Sequence, residues 1–323
     1  VSDQALILFL ALVIDWFVGD PAGLWQRLPH PVALFGRAIG FLENHLNREG
    51  DEPAVAGRKG AVVISGLIIG AIVTGLMLDW LISISGLFGG LIEVAIVWVL
   101  LAQKSLFDHV DDVASGLRHY GLAGGRRAVA KIVGRDPELL DESGVSRAGI
   151  ESLAENLCDG VVAPAFWYLV FGLPGLLSYK MINTADSMIA YKDQRYLHFG
   201  RATAMIDDLA NWLPARFSAI LLAMGGLIQF GPAAGKAAIA TAMRDSGLHR
   251  SPNAGWPEGA MAGACGFALG GPRVYREETV SQAFINGAGR QKLGVNDIVM
   301  ALNVYSYACY CLWGGVAVCW LIL

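Results

Sequence analysis

Charge is what this sequence has least of. Only 16% of its 323 residues are Asp, Glu, Lys or Arg, against about 25% in an ordinary soluble domain. So apolar a chain is no disordered tail, and its formal charge of −4 leaves no basic surplus for a nucleic-acid backbone. Its Lys and Arg are dispersed over several polar stretches and form no polybasic tract, which argues against dedicated anionic-lipid binding. Cysteine is scarce as well. Cys158, Cys265, Cys309, Cys311 and Cys319 show no CxxC spacing, so neither disulfides nor zinc are expected. The common nucleotide and hydrolase motifs are also missing. The nearest approach to GxxxxGK[ST], from Gly231 to Lys236, has one residue too few between its glycines and continues into Ala237. HExxH, GxSxG and GxGxxG do not occur, so any ATP site here is not a P-loop.

What the sequence has instead is 54% hydrophobic residues gathered into long runs. The stretches 61–78, 160–179, 217–235 and 298–323 carry no charge, and each is close to the roughly 20 apolar residues that cross a bilayer. Two weaker runs join them, 6–18 interrupted by Asp15 and 86–102 interrupted by Glu93. The expectation is an all-α polytopic membrane protein with about six transmembrane or membrane-inserted helices. These would form a single integral membrane domain over 1–323, with interfacial helices and polar loops at approximately 19–60, 103–159, 180–216 and 236–297. The first run lacks a basic flank and a cleavage site, and reads as a retained helix. Strict alternation puts the loops 19–60, 103–159 and 236–297, which hold most of the Lys and Arg, on the cytoplasmic side of a bacterial inner membrane. Polar connections this long favour chemistry on soluble substrates at the membrane surface over pure transport. Pro164, Gly172 and Pro174 interrupt the run 160–179, which is expected to be broken or re-entrant. Glycines four apart, Gly66 with Gly70, Gly259 with Gly263 and Gly266 with Gly270, suggest close helix packing.

Acidic residues recur at helical spacing. In SRAGIESLAENLCDG, Ile150, Leu153, Ala154 and Leu157 form one face, and Glu151, Glu155 and Asp159 a stripe on the other. Such i,i+4 like charges repel unless a cation offsets them. A second stripe, Asn183, Asp186, Ala190 and Asp193, flanked by Lys180 and Ser187, suits Mg²⁺ carrying a phosphate-bearing substrate. Asp207, Asp208 and Asn211 form a third group near Trp212 and Arg216. Acids at a membrane boundary are costly to desolvate without a partner, which favours a site. The segment from Arg244 concentrates phosphate-type donors, Arg244, His249, Arg250, Ser251 and Asn253, ahead of flexible glycines. Asp20 and His30 lie in a proline-rich span exit, where a lone His is usually structural. Asp15, Asp79 and Glu93 in or beside apolar runs are candidates for a polar cavity or for interhelical pairing.

Five ordered blocks resemble the cobalamin-biosynthesis family called CobD/CbiB, the adenosylcobinamide-phosphate synthases: GDP with PHPV between Gly19 and Val32, ESLAEN with DGVVAP between Glu151 and Pro164, NTADSM from Asn183, DDLANWLPAR from Asp207, and SPNAGWPE from Ser251. The resemblance covers nearly the whole chain. It implies a ligase that joins a carboxylate of adenosylcobyric acid to aminopropanol phosphate, or a related amino-alcohol phosphate, using ATP and Mg²⁺. The corrinoid would be the substrate, membrane lipid and other cobalamin-assembly enzymes the partners, and nucleic acid would play no part. Glu151, Glu155, Asp159, Asp186 and Asp208 are then the candidate catalytic residues, with Glu155, Asp186, Asp207 and Asp208 as metal ligands. Lys180, Asn183, Asn211, Arg216, Arg244, His249, Arg250, Ser251 and Asn253 would bind substrate or phosphate. Two competing readings are a Mg²⁺-dependent membrane prenyltransferase, which would need an apolar tunnel, and a non-enzymatic corrinoid transporter or sensor.

Overall fold

A computed structural model describes residues 2–25, 29–134, 136–191, 193–275, 278–280 and 283–322. Its helices are α1 (Ser2–Val18), α2 (Ala22–Trp25), α3 (Pro31–Leu46), α4 (Pro53–Ile84), α5 (Leu87–Val99), α6 (Gln103–Val129) and α7 (Glu142–Leu157). They continue with α8 (Ala163–Ile189), α9 (Arg201–Ala210), α10 (Trp212–Phe230), α11 (Pro232–Asp245), α12 (Gly255–Cys265) and α13 (Val295–Ile322). Two short antiparallel pairs supplement them: β1 (Leu269–Gly270) with a later strand at Phe284–Ile285, and β2 (Arg273–Tyr275) with β3 (Glu278–Val280). The protein is all-α in class. Five helical stretches among the described residues are long and apolar enough to cross a membrane: 53–84, 88–129, 142–189, 212–230 and 295–322. The first apolar run of the sequence forms α1, of 17 residues, with Asp15 buried in it.

The helices fall into two compact units. The first comprises Val1–Ala102, Ala163–Asn211 and Val316–Leu323. Its long helix α4 starts at Pro53, whose missing N–H is harmless in a first turn. Ala56, Gly60, Val63, Ile64, Leu67, Ala71 and Gly75 are buried at intervals of three or four residues, so one face of α4 packs inward. Val62, Ile69, Val73 and Leu76 stand exposed on its other faces. Water would make such a surface an aggregation site, whereas bilayer hydrocarbon solvates it.

Helix α8 packs against α4 and is broken, as its prolines and glycine suggested. Gly172 adopts φ 63°, ψ −150°, a conformation open to glycine, and Pro174 withholds the N–H that would have bonded back one turn. At that break Gly75 of α4 lies against the backbone of Leu173 and Pro174, with no room for a Cβ. Nearby, Glu93 of α5 accepts a 2.7 Å hydrogen bond from the Tyr168 hydroxyl, so this intramembrane acid is paired between helices. His30 caps α3 by accepting the Val32 N–H, the structural role its turn implied.

The second unit, Gln103–Val162 with Trp212–Gly315, is built on small residues. Gly259 and Gly263 of α12 meet the backbone of Ala242 and Ala237 on α11 at distances that exclude a larger side chain. The close-packing expectation holds for this pair only. Gly66 and Gly70 face open space, and Gly266 and Gly270 serve a helix end and a strand through positive φ. After α7 the chain passes through a π-helical turn, Cys158–Val162.

Candidate functional site

In the first unit, α8 and α9 bring three carboxylates and two amides together. Tyr179, Asn183 and Asp186 stand at i, i+4 and i+7 on α8, and Asp207 and Asn211 at i and i+4 on α9 and its cap. The Tyr179 hydroxyl donates to Asn211 Oδ1 at 2.9 Å, and Asn211 Nδ2 donates to Asp207 Oδ2 at 3.0 Å. The other oxygen of Asp207, Oδ1, is buried and has no hydrogen-bond partner among the described residues. Burial above all, and then the nearby Asp186 carboxylate, push the Asp207 pKa up to about 7, against the moderating amides of Asn211 and Asn183. Asp208 is close enough to Asp186 to repel it. Trp167 fixes the end of α9 by donating its indole N–H to the Ala210 carbonyl at 3.1 Å, satisfying an otherwise orphan acceptor. Beside this cluster Tyr179 and Ala210 also line an apolar cavity of about 580 Å³ with Trp167, Phe171, Pro174 and Leu209.

The stripe read from Asn183 is shorter than its spacing suggested. Helix α8 ends at Ile189, and Ala190 and Asp193 lie beyond it. Asp193 instead accepts the Tyr196 N–H at 2.9 Å and shapes the following turn. Lys180 is half-buried on α8. Tyr179 is absent from the residues singled out in the sequence, although its spacing to Asn183 and Asp186 was an available signal.

The second unit holds the remaining candidates. Glu151 is 5% exposed and not on a solvated face: its Oε1 accepts the Gly270 N–H of β1 at 2.7 Å. A buried carboxylate satisfying a strand donor is what the helical pattern could not reveal, because the donor lies 119 residues away. Glu155 is exposed, and Asp159 sits half-buried in the π-helical turn. Arg216 of α10 lies between two indoles, 4.4 Å from the Trp212 ring and 4.7 Å from the Trp256 ring, and donates to Asn253 Oδ1 at 3.2 Å.

Several loop donors are engaged within this unit. Arg244 forks onto Asp245 with two 2.7 Å bonds, and that contact holds the Asp245 carboxyl below its usual range. Asp245 in turn accepts the Asn286 N–H at 2.8 Å. The Ser251 hydroxyl accepts from the N–H groups of Asn253 and Ala254, bracing the entry to α12. His249 Nδ1 accepts the Ser251 N–H at 3.0 Å, and its Nε2 lies 3.6 Å from the buried Glu258, which closes the SPNAGWPE block but is not among the site residues expected from the sequence. Arg250 is exposed. Among the described residues, no group of three or more His, Cys, Asp or Glu is arranged to hold a metal ion by itself. The carboxylates of Asp186, Asp207 and Asp208 offer oxygens, including the buried Asp207 Oδ1, and suit a hard cation that keeps water or phosphate in its shell.

The chain is similar to known proteins over nearly its whole length. The family model described as CobD/Cbib protein matches residues 8–305. A relative from Rhizobium meliloti (strain 1021), named cobalamin biosynthesis protein CobD, is 55% identical over 308 residues, covering 95% of this chain and 94% of its own. Proteins of the same name from Brucella anthropi and Rhodobacter capsulatus are 52% and 43% identical, covering 94% and 88% of this chain and 92% and 87% of theirs. No solved structure matches. On the extent of these matches, the chain belongs to the CobD/CbiB family.

Proposed function

We propose that this cobalamin-biosynthesis protein is the ligase that joins adenosylcobyric acid to (R)-1-aminopropan-2-ol phosphate, or a related amino-alcohol phosphate, in an ATP-dependent reaction giving adenosylcobinamide phosphate. The observation that carries the site assignment is the buried, unpartnered Asp207 Oδ1 beside Asp186 and Asp208. Asp186 and Asp207, with Asp208 nearby, are the side chains that would hold Mg²⁺, which would supply charge neutralisation for phosphoryl transfer. One or two carboxylates suffice for that ion, since water and phosphate oxygens complete its shell.

Amide formation in water is uphill, so the corrin carboxylate must first be activated. Transfer of a phosphoryl group from ATP to the carboxylate oxygen yields an acyl phosphate and ADP. The amine nitrogen then forms the C–N bond and gives up a proton to a nearby base or to the departing phosphate, as the C–O bond to phosphate breaks and phosphate leaves. In the second unit we assign phosphate recognition to Arg250, which is exposed beside the entry to α12 and carries the forked guanidinium that suits phosphate. Arg250→Ala is expected to raise the KM for the amino-alcohol phosphate by about ten- to a hundred-fold, with little effect on an amine lacking the phosphate. Equal losses for both amines would remove Arg250 from this role. We place the protein in the bacterial cytoplasmic membrane with the acidic site facing the cytoplasm, where ATP is available, which requires the broken run 160–179 to re-enter the membrane and not cross it.

The apolar cavity beside the acids favours the prenyltransferase reading, because a lipidic substrate needs such a space. Nucleotide dependence separates the two. Purified full-length protein in detergent, supplied with adenosylcobyric acid, aminopropanol phosphate, ATP and Mg²⁺, should release adenosylcobinamide phosphate, ADP and phosphate together. Failure to form the amide, or formation without ATP, would overturn the ligase assignment.

A further inference from the structure

We infer that Tyr179 is a positioning residue that orients Asp207 for a divalent cation through the amide of Asn211. The inference deepens the ligase reading, since it takes from it the cation site at Asp186 and Asp207.

Donor and acceptor polarity fixes the direction of these bonds. A carboxylate only accepts hydrogen bonds, so Asn211 must turn its NH₂ toward Asp207 Oδ2, which leaves its carbonyl oxygen facing Tyr179. That oxygen needs a donor, and the Tyr179 hydroxyl supplies it at 2.9 Å. The chain therefore runs in one direction, from phenol O–H to amide oxygen and from amide N–H to carboxylate. A buried amide whose two ends are both engaged cannot flip. Asp207 is held by its Oδ2, and Oδ1 is left without a hydrogen-bond partner among the described residues, on a residue only 9% exposed. A buried carboxylate oxygen with no donor is costly, and a cation is the kind of partner that offsets the cost. Asn183 and Asp186 lie around the same carboxylate, so a cation at Oδ1 would find further oxygen donors.

Tyr179 itself is 1% exposed and too far along the relay to be a ligand. Its ring lines the apolar cavity, and phenylalanine would keep that wall while removing only the hydroxyl. The consequence is specific: Tyr179→Phe removes the hydroxyl that faces the Asn211 oxygen, and so loosens the orientation in which Asn211 presents its NH₂ to Asp207.

The test is direct Mn²⁺ binding to the full chain in detergent, read by the paramagnetic signal of the bound ion, with no turnover required. Tyr179→Phe should weaken Mn²⁺ binding by about three- to ten-fold, the equivalent of one hydrogen bond. Asn211→Ala should weaken it at least as much, and adding Tyr179→Phe to Asn211→Ala should change nothing more, because the relay is already cut. A purely structural tyrosine would give additive losses, and this result would overturn the inference. So would wild-type affinity in Tyr179→Phe when Asp186→Asn abolishes binding, in which case the cation site stands and the relay falls. Absence of any Asp186-dependent Mn²⁺ binding in the wild type would remove the cation site and the relay with it, while the ligase assignment stands or falls by ATP-dependent amide formation.

Discussion

Replacing Asp207 by asparagine is expected to abolish turnover and, in Mg²⁺-free buffer, to make the same protein more stable at neutral pH. Both effects come from one buried carboxyl. Burial, then the charge of Asp186, raise its pKa to about 7 in the folded protein. In the unfolded chain an aspartate releases its proton near pH 4. Between these values the folded state binds more protons than the unfolded state, so this group's contribution makes stability fall as pH rises through that window. Below about pH 4 both states are protonated and the penalty vanishes. Asparagine keeps the shape without the charge, and should relieve about 1–3 kcal/mol near pH 7.5 while offering little benefit near pH 4. Thermal unfolding of wild type and Asp207→Asn at the two pH values measures this as a difference that grows with pH. Turnover should fall by about 10²–10³-fold, the usual cost of removing one charge-stabilising group from an active site. A variant that retains wild-type turnover would remove Asp207 from the site, and a stability difference that does not grow with pH would contradict its raised pKa.

The largest structural effect is expected from Gly75→Leu. A Cβ at Gly75 would run into the backbone of Leu173 and Pro174 at the break in α8, and backbone cannot rotate away as a side chain can. Alanine there should cost about 1–3 kcal/mol, and leucine more, enough to part α4 from α8. The control lies on the same helix. A methyl group at Gly70 would meet no atom of the described residues within 4 Å, so Gly70→Ala should be neutral or stabilise slightly by favouring the helix. Folded yield and melting temperature in detergent would separate the two. Equal behaviour of Gly75→Ala and Gly70→Ala would mean that α4 and α8 are not in close contact at the break.

Hydrophobic runs and scarce charge were enough to establish an all-α membrane protein, because burying an unbonded backbone in hydrocarbon leaves helices as the solution for runs of this length. The break in α8 was also legible, since glycine and proline act through the local backbone. The spacing also marked the residues of the acidic cluster, as Asn183 with Asp186 and Asp207 with Asn211 recur at helical intervals. Local pattern could not say which partners these groups would meet. Glu151 repeats with Glu155 like a solvated stripe, yet it is buried on a strand N–H far along the chain. Arg244 and Ser251 look like anion donors in sequence, yet a neighbouring carboxylate and a helix entry engage them. Tyr179 carries no charge and stands in an apolar run, so its spacing to Asn183 and Asp186 is all that marks it. Only the crossing of α8 and α9 sets its hydroxyl against Asn211 and leaves one oxygen of Asp207 without a donor, because hydrogen-bond satisfaction depends on distance in space and not on spacing in sequence.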